Sequence, residues 1–174
     1  MLFRSRLWRG LNGFAGEFGH MVVEPDGLEC PCGQRGCWER YAAGTGLAHL
    51  AREAAAEGRA ARIVELAGGD RAAIRGEHVQ IACREGDAGA LQIVDRYGRW
   101  VALGLVNLTN ALDPALFVLA GGVAATPELY IGAISRWFHE LLYAPALRPH
   151  PAIEFAQLGE YAGAVGAALL AEHV

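Results

Sequence analysis

The sequence lacks the features of several classes of protein. No run of about eighteen uninterrupted apolar residues, the minimum for a membrane-spanning helix, occurs in it. Its 15 Lys+Arg are outnumbered by 19 Asp+Glu, and the pI near 5.8 does not suit a nucleic-acid-binding surface. The N-terminal stretch is basic but has neither the long apolar core nor the cleavage site of a secretory signal. We therefore expect a cytoplasmic protein with neither membrane nor nucleic acid as a partner.

Internal repeats and low-complexity linkers are also absent, so the 174 residues are expected to form one domain. The 53% of hydrophobic residues excludes intrinsic disorder and is sufficient for a core. The 23 glycines are many for this length and predict tight turns or close approaches of the backbone.

Cysteine is scarce but clustered. Three of the four cysteines, Cys30, Cys32 and Cys37, lie within eight residues, and Cys83 stands apart. A disulfide between Cys30 and Cys32 is disfavoured because S–S geometry is demanding. Thiols clustered this tightly in the cytosol more often hold a metal. Cys83 lies in an apolar segment and is expected to be a buried free thiol.

The spacing His20-x9-Cys30-x-Cys32-x4-Cys37 supplies the four ligands of a tetrahedral zinc site. Two glycines between Cys32 and Cys37 would let the chain fold back, so that all the sulfurs face one point. One histidine and three cysteines leave no open coordination position, so the zinc would be structural. The alternative is a set of free thiols beside a surface histidine.

Two carboxylates flank this set. Glu17 precedes His20 by three residues and Glu39 follows Cys37 by two, so a metal would bring both carboxylates near one point. A metal-bound imidazole keeps one N–H with a fixed tautomer. Two carboxylates and an oriented N–H would suit the vicinal hydroxyls of a polyol or sugar. In the alternative interpretation, both glutamates are solvated loop charges.

Hydrophobic periodicity predicts an α/β protein. A helix over 88–112, capped by Asp87 and ended by Asp113-Pro114, is apolar on two faces. The apolar run 116–120 is typical of a central buried strand, and Thr126-Pro127 predicts the N-cap and first residue of a helix. The other expected elements are a strand or hairpin over 2–9, a strand over 21–24, a cysteine loop over 25–37, a helix over 38–57 broken near Gly44 and Gly46, helices over 77–85 and 162–172, and a strand over 152–156, while 58–75 shows no clear pattern.

Gly121 and Gly122 follow the apolar run and precede a helix. Such a pair can let a nucleotide phosphate approach the backbone at a helix N-terminus. A glycine pair after a strand is more often a simple turn. No complete phosphate-binding motif of the G-x-x-x-x-G-K-[ST] or G-x-G-x-x-G type is present.

The stretch GEFGHMVVEPDGLECPCGQRGCWERYAAG resembles the ROK family of sugar kinases and sugar-responsive repressors. The family pattern G-E-x-G-H followed by C-x-C-G-x-x-G-C-x-E is matched at every defined position over residues 16–39. The segments NLTNALDPALFVLAGGVAATPELY and YAGAVGAALLAEH also resemble the family's nucleotide-side strand and closing helix. Within the family, EFGH, CWE and RYAAG look most like actinobacterial glucokinases.

The resemblance implies the C-terminal lobe of an actin-like ATPase and sugar kinase fold, which is ribonuclease H-like and has two α/β lobes. It implies a zinc- and sugar-binding loop over 14–43, a nucleotide-side region over 87–174, and an N-terminal lobe absent from the sequence. It further implies roles for individual residues and for the assembly. Zinc would be held by His20, Cys30, Cys32 and Cys37, and sugar hydroxyls would be bound by Glu17, His20 and Glu39. The nucleotide would be bound by Gly121 and Gly122. A homo-oligomer would form through this lobe, with Trp100 or Trp137 at its surface.

One departure from the family is large. Family kinases carry an Asp-x-Gly-Gly-Thr phosphate loop, an Asn-Asp pair whose Asp is the catalytic base, and a Gly-Thr-Gly phosphate segment, all before the G-E-x-G-H motif. The fifteen residues before Gly16 contain none of these, and no Asn-Asp pair occurs in the sequence. Because phosphoryl transfer needs positioned phosphates and a base, we expect little or no kinase activity from these residues alone.

Three functions remain open at this stage. The first is an ATP- and Mg²⁺-dependent hexose kinase of glucokinase type, represented by its zinc-bearing lobe. The second is the ligand-sensing part of a ROK transcriptional repressor, whose DNA-binding module would lie upstream. The third is a zinc-stabilised structural lobe without a ligand.

Overall fold

The computed structural model describes residues 2–3 and 6–171. Helices dominate this part of the chain, and the strands are short. In order, the elements are β1 (Leu2–Phe3), β2 (Arg6–Leu7), α1 (Glu39–Ala42), α2 (Gly44–Ala56), α3 (Ala61–Leu66), α4 (Gly76–Arg84), α5 (Ala88–Leu112), β3 (Leu116–Leu119), α6 (Pro127–Leu141), β4 (Ala152–Phe155) and α7 (Ala162–Ala171).

Helix α5 is the centre of the fold and has the predicted bounds. Asp87 caps it, since its Oδ1 accepts a hydrogen bond from the N–H of Ala90 at 2.8 Å. Asp113 ends it in the left-handed conformation, with φ at +44°. One face of α5 packs on α6 and another packs on α1, α2 and α4, which explains why its sequence is apolar on two faces. The largest buried side chains of the core include Tyr97, Tyr130, Leu47, Leu50, Ile63, Ile93, Leu105 and Ile134.

Strands β3 and β4 form a parallel pair, with Leu116 opposite Ala152 and Leu119 opposite Phe155. Helix α6 connects them, so this part of the chain is a βαβ unit. The prediction of a central buried strand was wrong for the residues that the structure describes. Phe117 and Leu119 pack on the core, whereas Val118 on the outer face is 59% exposed, because no described element covers that face.

Several local predictions were correct in position and wrong in detail. The helix expected over 38–57 breaks at Ala43, which is extended, and Gly46 lies inside α2. Thr126 does precede α6 and Pro127 is its first residue, but the Thr126 hydroxyl makes no capping hydrogen bond. Residues 58–75, which had no predicted structure, contain α3 and a 3-10 turn.

The strand expected over 21–24 is absent, and Val22 makes only a single bridge to Cys37. The expected hairpin near the N-terminus is confirmed as the antiparallel pair β1–β2, although residues 4 and 5 lie outside the described part. Helix α7 ends at Ala171, and residue 172, its expected end, is also outside. Among the described helices, none combines the length and the hydropathy that crossing a membrane requires.

Candidate zinc and sugar site

The cysteine loop folds back on itself through backbone hydrogen bonds. The N–H of Cys30 donates to the carbonyl of Gln34 at 2.8 Å, and that of Gly33 donates to the carbonyl of Cys30 at 2.9 Å. Gly33 and Gly36 adopt φ values of +91° and +72°, a region that side chains rarely enter. At Gly36 there is also no room for a side chain, because a Cβ would lie 1.7 Å from the carbonyl oxygen of Glu24. The predicted role of these two glycines is confirmed.

The loop brings the four predicted ligands together. The ligand atoms of His20, Cys30, Cys32 and Cys37 all lie within 4.8 Å of one another. His20 Nδ1 is 3.8 Å from Cys30 Sγ, and the sulfurs of Cys32 and Cys37 are 3.6 Å apart. All three cysteines are free thiols in this structure.

These separations suit a tetrahedral zinc ion. With Zn–S bonds near 2.3 Å and Zn–N bonds near 2.05 Å, a tetrahedron places two sulfurs about 3.8 Å apart and a sulfur and a nitrogen about 3.6 Å apart. The observed 3.6 Å and 3.8 Å lie close to both values. The donor set and these two separations are therefore those of a possible zinc site.

The surroundings of the thiols differ. A backbone hydrogen bond from Gln34 lowers the pKa of Cys32, whereas burial raises the pKa of Cys37. A backbone hydrogen bond from Cys32 lowers the pKa of Cys30, but burial and the bond to the Glu39 carboxylate outweigh it and raise that pKa to about 12. Two of the thiols thus resist ionisation unless a bound cation compensates for the cost.

The two predicted carboxylates lie on either side of His20. Glu17 Oε2 is 3.9 Å from His20 Nε2, and Glu39 Oε1 is 3.8 Å from His20 Nδ1. The Cys30 thiol also donates to Glu39 Oε1 at 3.1 Å. Nδ1 therefore faces the sulfurs, while Nε2 points toward Glu17. All three side chains remain partly accessible to solvent.

A cavity of about 260 Å³ adjoins Glu39. Its walls come from Gly19, Trp38 and Glu39 on one side and from the end of β3 with Val123 on the other. Gly19 lies directly against the Glu39 side chain, since a Cβ there would stand 3.5 Å from Glu39 Oε2. The site thus opens toward the carboxyl end of a parallel strand, where ligands commonly bind in α/β folds.

Gly121 and Gly122 lie directly after β3. Gly121 has φ at +89°, and neither glycine would meet another atom if it carried a Cβ. Gly122 lines a second cavity of about 590 Å³, which the N-terminal residues of α2 and α4 also line. Gly121 is not part of that lining. Val123 lines both this cavity and the one beside Glu39, so the two cavities adjoin.

Helix α5 holds the site through contacts that the sequence did not predict. The indole N–H of Trp38 donates to the carbonyl of Trp100 at 2.7 Å, and the hydroxyl of Tyr97 donates to the carbonyl of Ala42 at 2.5 Å. The Tyr41 ring stacks on Trp100 with a centroid distance of 4.3 Å. These contacts fix α1, whose first residue is Glu39. The sequence signal was present in CWERYA, but nothing local showed which helix it would pack on.

Other residues lining the 590 Å³ cavity were also not anticipated. Gly44 and Thr45 begin α2, and Arg75 and Gly76 stand at the start of α4. They are far apart in sequence and carry no common motif. The packing of α2 against α4 brings them together.

Similarity to known proteins identifies the family of this chain. A model of the ROK family matches residues 1–174. A glucokinase of Streptomyces coelicolor is 37% identical over 173 residues, which are 98% of this chain and 55% of that protein. A xylose repressor of Bacillus spizizenii is 27% identical over 99% of this chain and 41% of its own length.

Among solved structures, a ROK family glucokinase from Streptomyces griseus in complex with glucose and AMPPNP matches with a TM-score of 0.89 and 41% identity. The match covers 98% of this chain and 55% of that one. The chain therefore spans about half the length of the relatives it matches. The resemblance seen in the cysteine motif is confirmed, and the chain belongs to the ROK family.

Proposed function

We propose that these residues form the zinc- and sugar-binding C-terminal lobe of an ATP-dependent hexose kinase of glucokinase type. The observation that carries the proposal is the convergence of four zinc-type ligands between Glu17 and Glu39. Glucokinases from Streptomyces are similar to the chain over nearly its whole length. The proposed reaction is phosphorylation of glucose or a related hexose at its 6-hydroxyl, in the cytoplasm.

In the proposal, zinc is bound by His20, Cys30, Cys32 and Cys37 and stabilises the loop. No ligand position remains open, so the ion does not contact the sugar. With Nδ1 facing the sulfurs, His20 presents Nε2 as an N–H donor on the side of Glu17. The fixed tautomer is what makes this imidazole a reliable donor to a hydroxyl.

Glu17, His20 and Glu39 then bind sugar hydroxyls. Each hydroxyl can donate to a carboxylate and accept from the imidazole N–H, and a ligand that lacks one hydroxyl leaves a charged group unpaired. The cavity beside Glu39 is the space in which the rest of the ring would lie.

The nucleotide is assigned to the adjoining 590 Å³ cavity. Gly121 and Gly122 follow a parallel strand and leave the backbone open to a phosphate group. The cavity is also bordered by the N-terminal ends of α2 and α4 and by Arg52 and Arg75, which suit an anionic ligand. Mg²⁺ would accompany ATP and shield the charge of its phosphates.

The catalytic base is not among these 174 residues, which contain no Asn-Asp pair. In family kinases that aspartate takes the proton of the sugar 6-hydroxyl as its oxygen attacks the γ-phosphorus and ADP leaves. We therefore propose that the base comes from an N-terminal lobe and that these residues alone are inactive. The outer face of β3 and helix α7, both apolar and exposed, are the surface assigned to that lobe.

Reconstitution tests the proposal. The chain is mixed with the N-terminal half of the Streptomyces coelicolor glucokinase, and ATP-dependent glucose phosphorylation is measured by a coupled assay. Activity is expected only when both parts are present. Activity of the 174 residues alone, or failure of glucose to bind the mixture by calorimetry, would contradict it.

Glu39→Gln provides the test at the site. The apparent affinity of the reconstituted enzyme for glucose is expected to fall about tenfold to a hundredfold, the value of a hydrogen bond to a charged group, with the KM for ATP little changed. Glu128→Gln, in the first turn of α6, is the matched control and should change neither constant. If Glu39→Gln changed the apparent affinity for glucose and the KM for ATP equally, Glu39 would be a surface charge rather than a sugar-binding residue.

Similarity to xylose repressors supports a second candidate, a sugar sensor in a transcriptional repressor. The same site would then bind a sugar without transferring phosphate. The coding sequence upstream distinguishes the two, since an Asp-x-Gly-Gly-Thr segment favours the kinase and a helix-turn-helix module favours the repressor. A homo-oligomer remains part of the proposal for either function.

A further inference from the structure

A third cavity, of about 570 Å³, lies outside the site described above. The cysteine loop, α1, α2 and α5 form its walls, and its principal lining residues are Asp26, Arg40, Tyr41, His49, Arg96 and Trp100. It shares no lining residue with the cavity beside Glu39 or with the one beside Gly122.

Most charges around this cavity are paired. Arg35 binds Glu29 at 2.7 Å, Glu53 accepts from Arg96 at 3.4 Å, and the Nε2 of His49 lies 3.1 Å from the Glu53 carboxylate. Two charged side chains of the lining are outside these pairs.

Arg40 and Asp26 are those two. Within the described part of the chain, neither side chain forms a hydrogen bond or an ion pair, and the Nε of Arg40 is buried without a partner. An anion in the cavity cannot reach this buried nitrogen, but the terminal guanidinium nitrogens of Arg40 are not buried and have no partner in the described part of the chain. These nitrogens are the donors that the cavity offers to an anion.

The remaining wall is aromatic. Trp100 is half-buried and stacks on Tyr41, whose hydroxyl already accepts the N–H of Leu28 at 2.8 Å. The aromatic pair is therefore a rigid, largely apolar surface next to an uncommitted cation and an uncommitted carboxylate.

We propose that this cavity binds a hexose phosphate, with the phosphate on Arg40 and sugar hydroxyls donating to Asp26. A guanidinium suits a phosphate because its N–H groups form two parallel hydrogen bonds. The Asp26 carboxylate would repel an anion that has no hydroxyl groups, whereas the hydroxyls of a sugar would donate hydrogen bonds to it. The volume lies within the range of small-molecule sites. The choice of a hexose phosphate over other hydroxylated anions rests on the proposed function, since that reaction would release one.

Calorimetry with glucose 6-phosphate tests the inference on the zinc-loaded 174-residue chain, in the presence of saturating glucose. Binding is expected to persist under glucose, because the two sites do not overlap. Arg40→Met and Asp26→Asn should each weaken it about tenfold or more. Asp26 is an exposed loop residue, so its variant should keep the fold even if Arg40→Met does not. Arg71→Met, at an exposed arginine that lines none of the three cavities, should leave binding unchanged.

Displacement of glucose 6-phosphate by glucose would overturn the inference, because both would then occupy one site. Equal or tighter binding of inorganic phosphate or of a free amino acid would overturn the ligand class. Equal losses in Arg71→Met and Arg40→Met would overturn the site. Failure of glucose to bind, with glucose 6-phosphate still bound through Arg40, would count against the proposed function and leave this site standing.

Discussion

The four metal-ligand candidates and Cys83 show how the surroundings of a residue decide its chemistry. All four cysteines are free thiols, but only three share one point with a histidine. Cys83 lies in α4 against the core, and burial raises its pKa to about 11. It has the properties of a small apolar side chain and does not belong to the cluster of candidate metal ligands.

This contrast provides a matched pair of variants. Cys37→Ser removes one sulfur from the cluster and is expected to abolish stoichiometric zinc, because a three-ligand site binds far more weakly. Cys83→Ser makes the same change outside the cluster and should retain about one zinc per chain. Zinc content by elemental analysis, with melting before and after chelator, measures both. Full zinc in Cys37→Ser would refute the assignment.

The sequence predicted these ligands because their spacing is local, over eighteen residues with glycines at the turns. Glu17 and Glu39 were found for the same reason. Arg40 and Asp26 were not singled out, since what distinguishes them is a missing partner, and this depends on where α2 and α5 lie. The 590 Å³ cavity was only partly anticipated, because Gly44 and Gly76 meet through packing rather than through sequence.

At the scale of elements, α5 is the support of the site. Trp38, between Cys37 and Glu39, packs on α5 where that helix has Gly104. A Cβ at Gly104 would lie 1.9 Å from Cε2 of the Trp38 ring. Only glycine permits this contact, so a residue more than sixty positions away sets the position of the loop.

Gly104→Ala is therefore expected to destabilise the chain by about 1–3 kcal/mol, as overpacking does, and to weaken zinc binding because Trp38 must move. Gly132→Ala, in α6, is the control, since a Cβ there meets nothing within 4 Å. It should be neutral or stabilise by up to about 1 kcal/mol. Chemical denaturation and a competitive zinc titration distinguish the two variants. Unchanged zinc affinity in Gly104→Ala would show that α5 supports the fold but not the site.

Helices α3 and α4 are joined by an ion pair that makes a pH-dependent contribution. The guanidinium of Arg62 binds Glu85 at 2.7 Å and holds the pKa of that carboxyl below its ordinary value of 4.5. Because the pKa is lowered in the folded state, the stabilisation is present above pH 4.5 and is lost as pH falls through the lowered pKa.

Glu85→Gln should accordingly melt slightly lower than the parent chain near neutral pH, and the two should converge at acidic pH. The effect is small because both partners are partly exposed and salt screens them. Melting curves across the acidic range measure it, with Glu128→Gln as a control without an ion pair. A difference that is constant with pH would exclude Arg62 as its cause.

At the scale of the whole molecule, two apolar elements are left uncovered by the described residues. Helix α7 consists entirely of Ala, Gly, Val and Leu, and none of its residues is buried in the described structure. A helix that is apolar on every side is normally covered. Strand β3 is likewise apolar on both faces, and no described element covers its outer face, which is why its prediction as a buried strand was wrong for the described residues. Relatives that are nearly twice as long have the additional residues to cover such a face.

Substitution on helix α7 separates docking from folding. Leu169 is 54% exposed, and Val165 lies one turn before it on the same side of α7. Leu169→Glu should leave the melting of the 174-residue chain nearly unchanged, because the side chain is accessible to water, but should abolish reconstitution with the N-terminal half of the Streptomyces coelicolor glucokinase. Leu91→Glu, at a 50% exposed position of α5, is the control and should reconstitute normally. Undiminished activity of the Leu169→Glu mixture would place the second lobe on another face, while the zinc and sugar site would be unaffected.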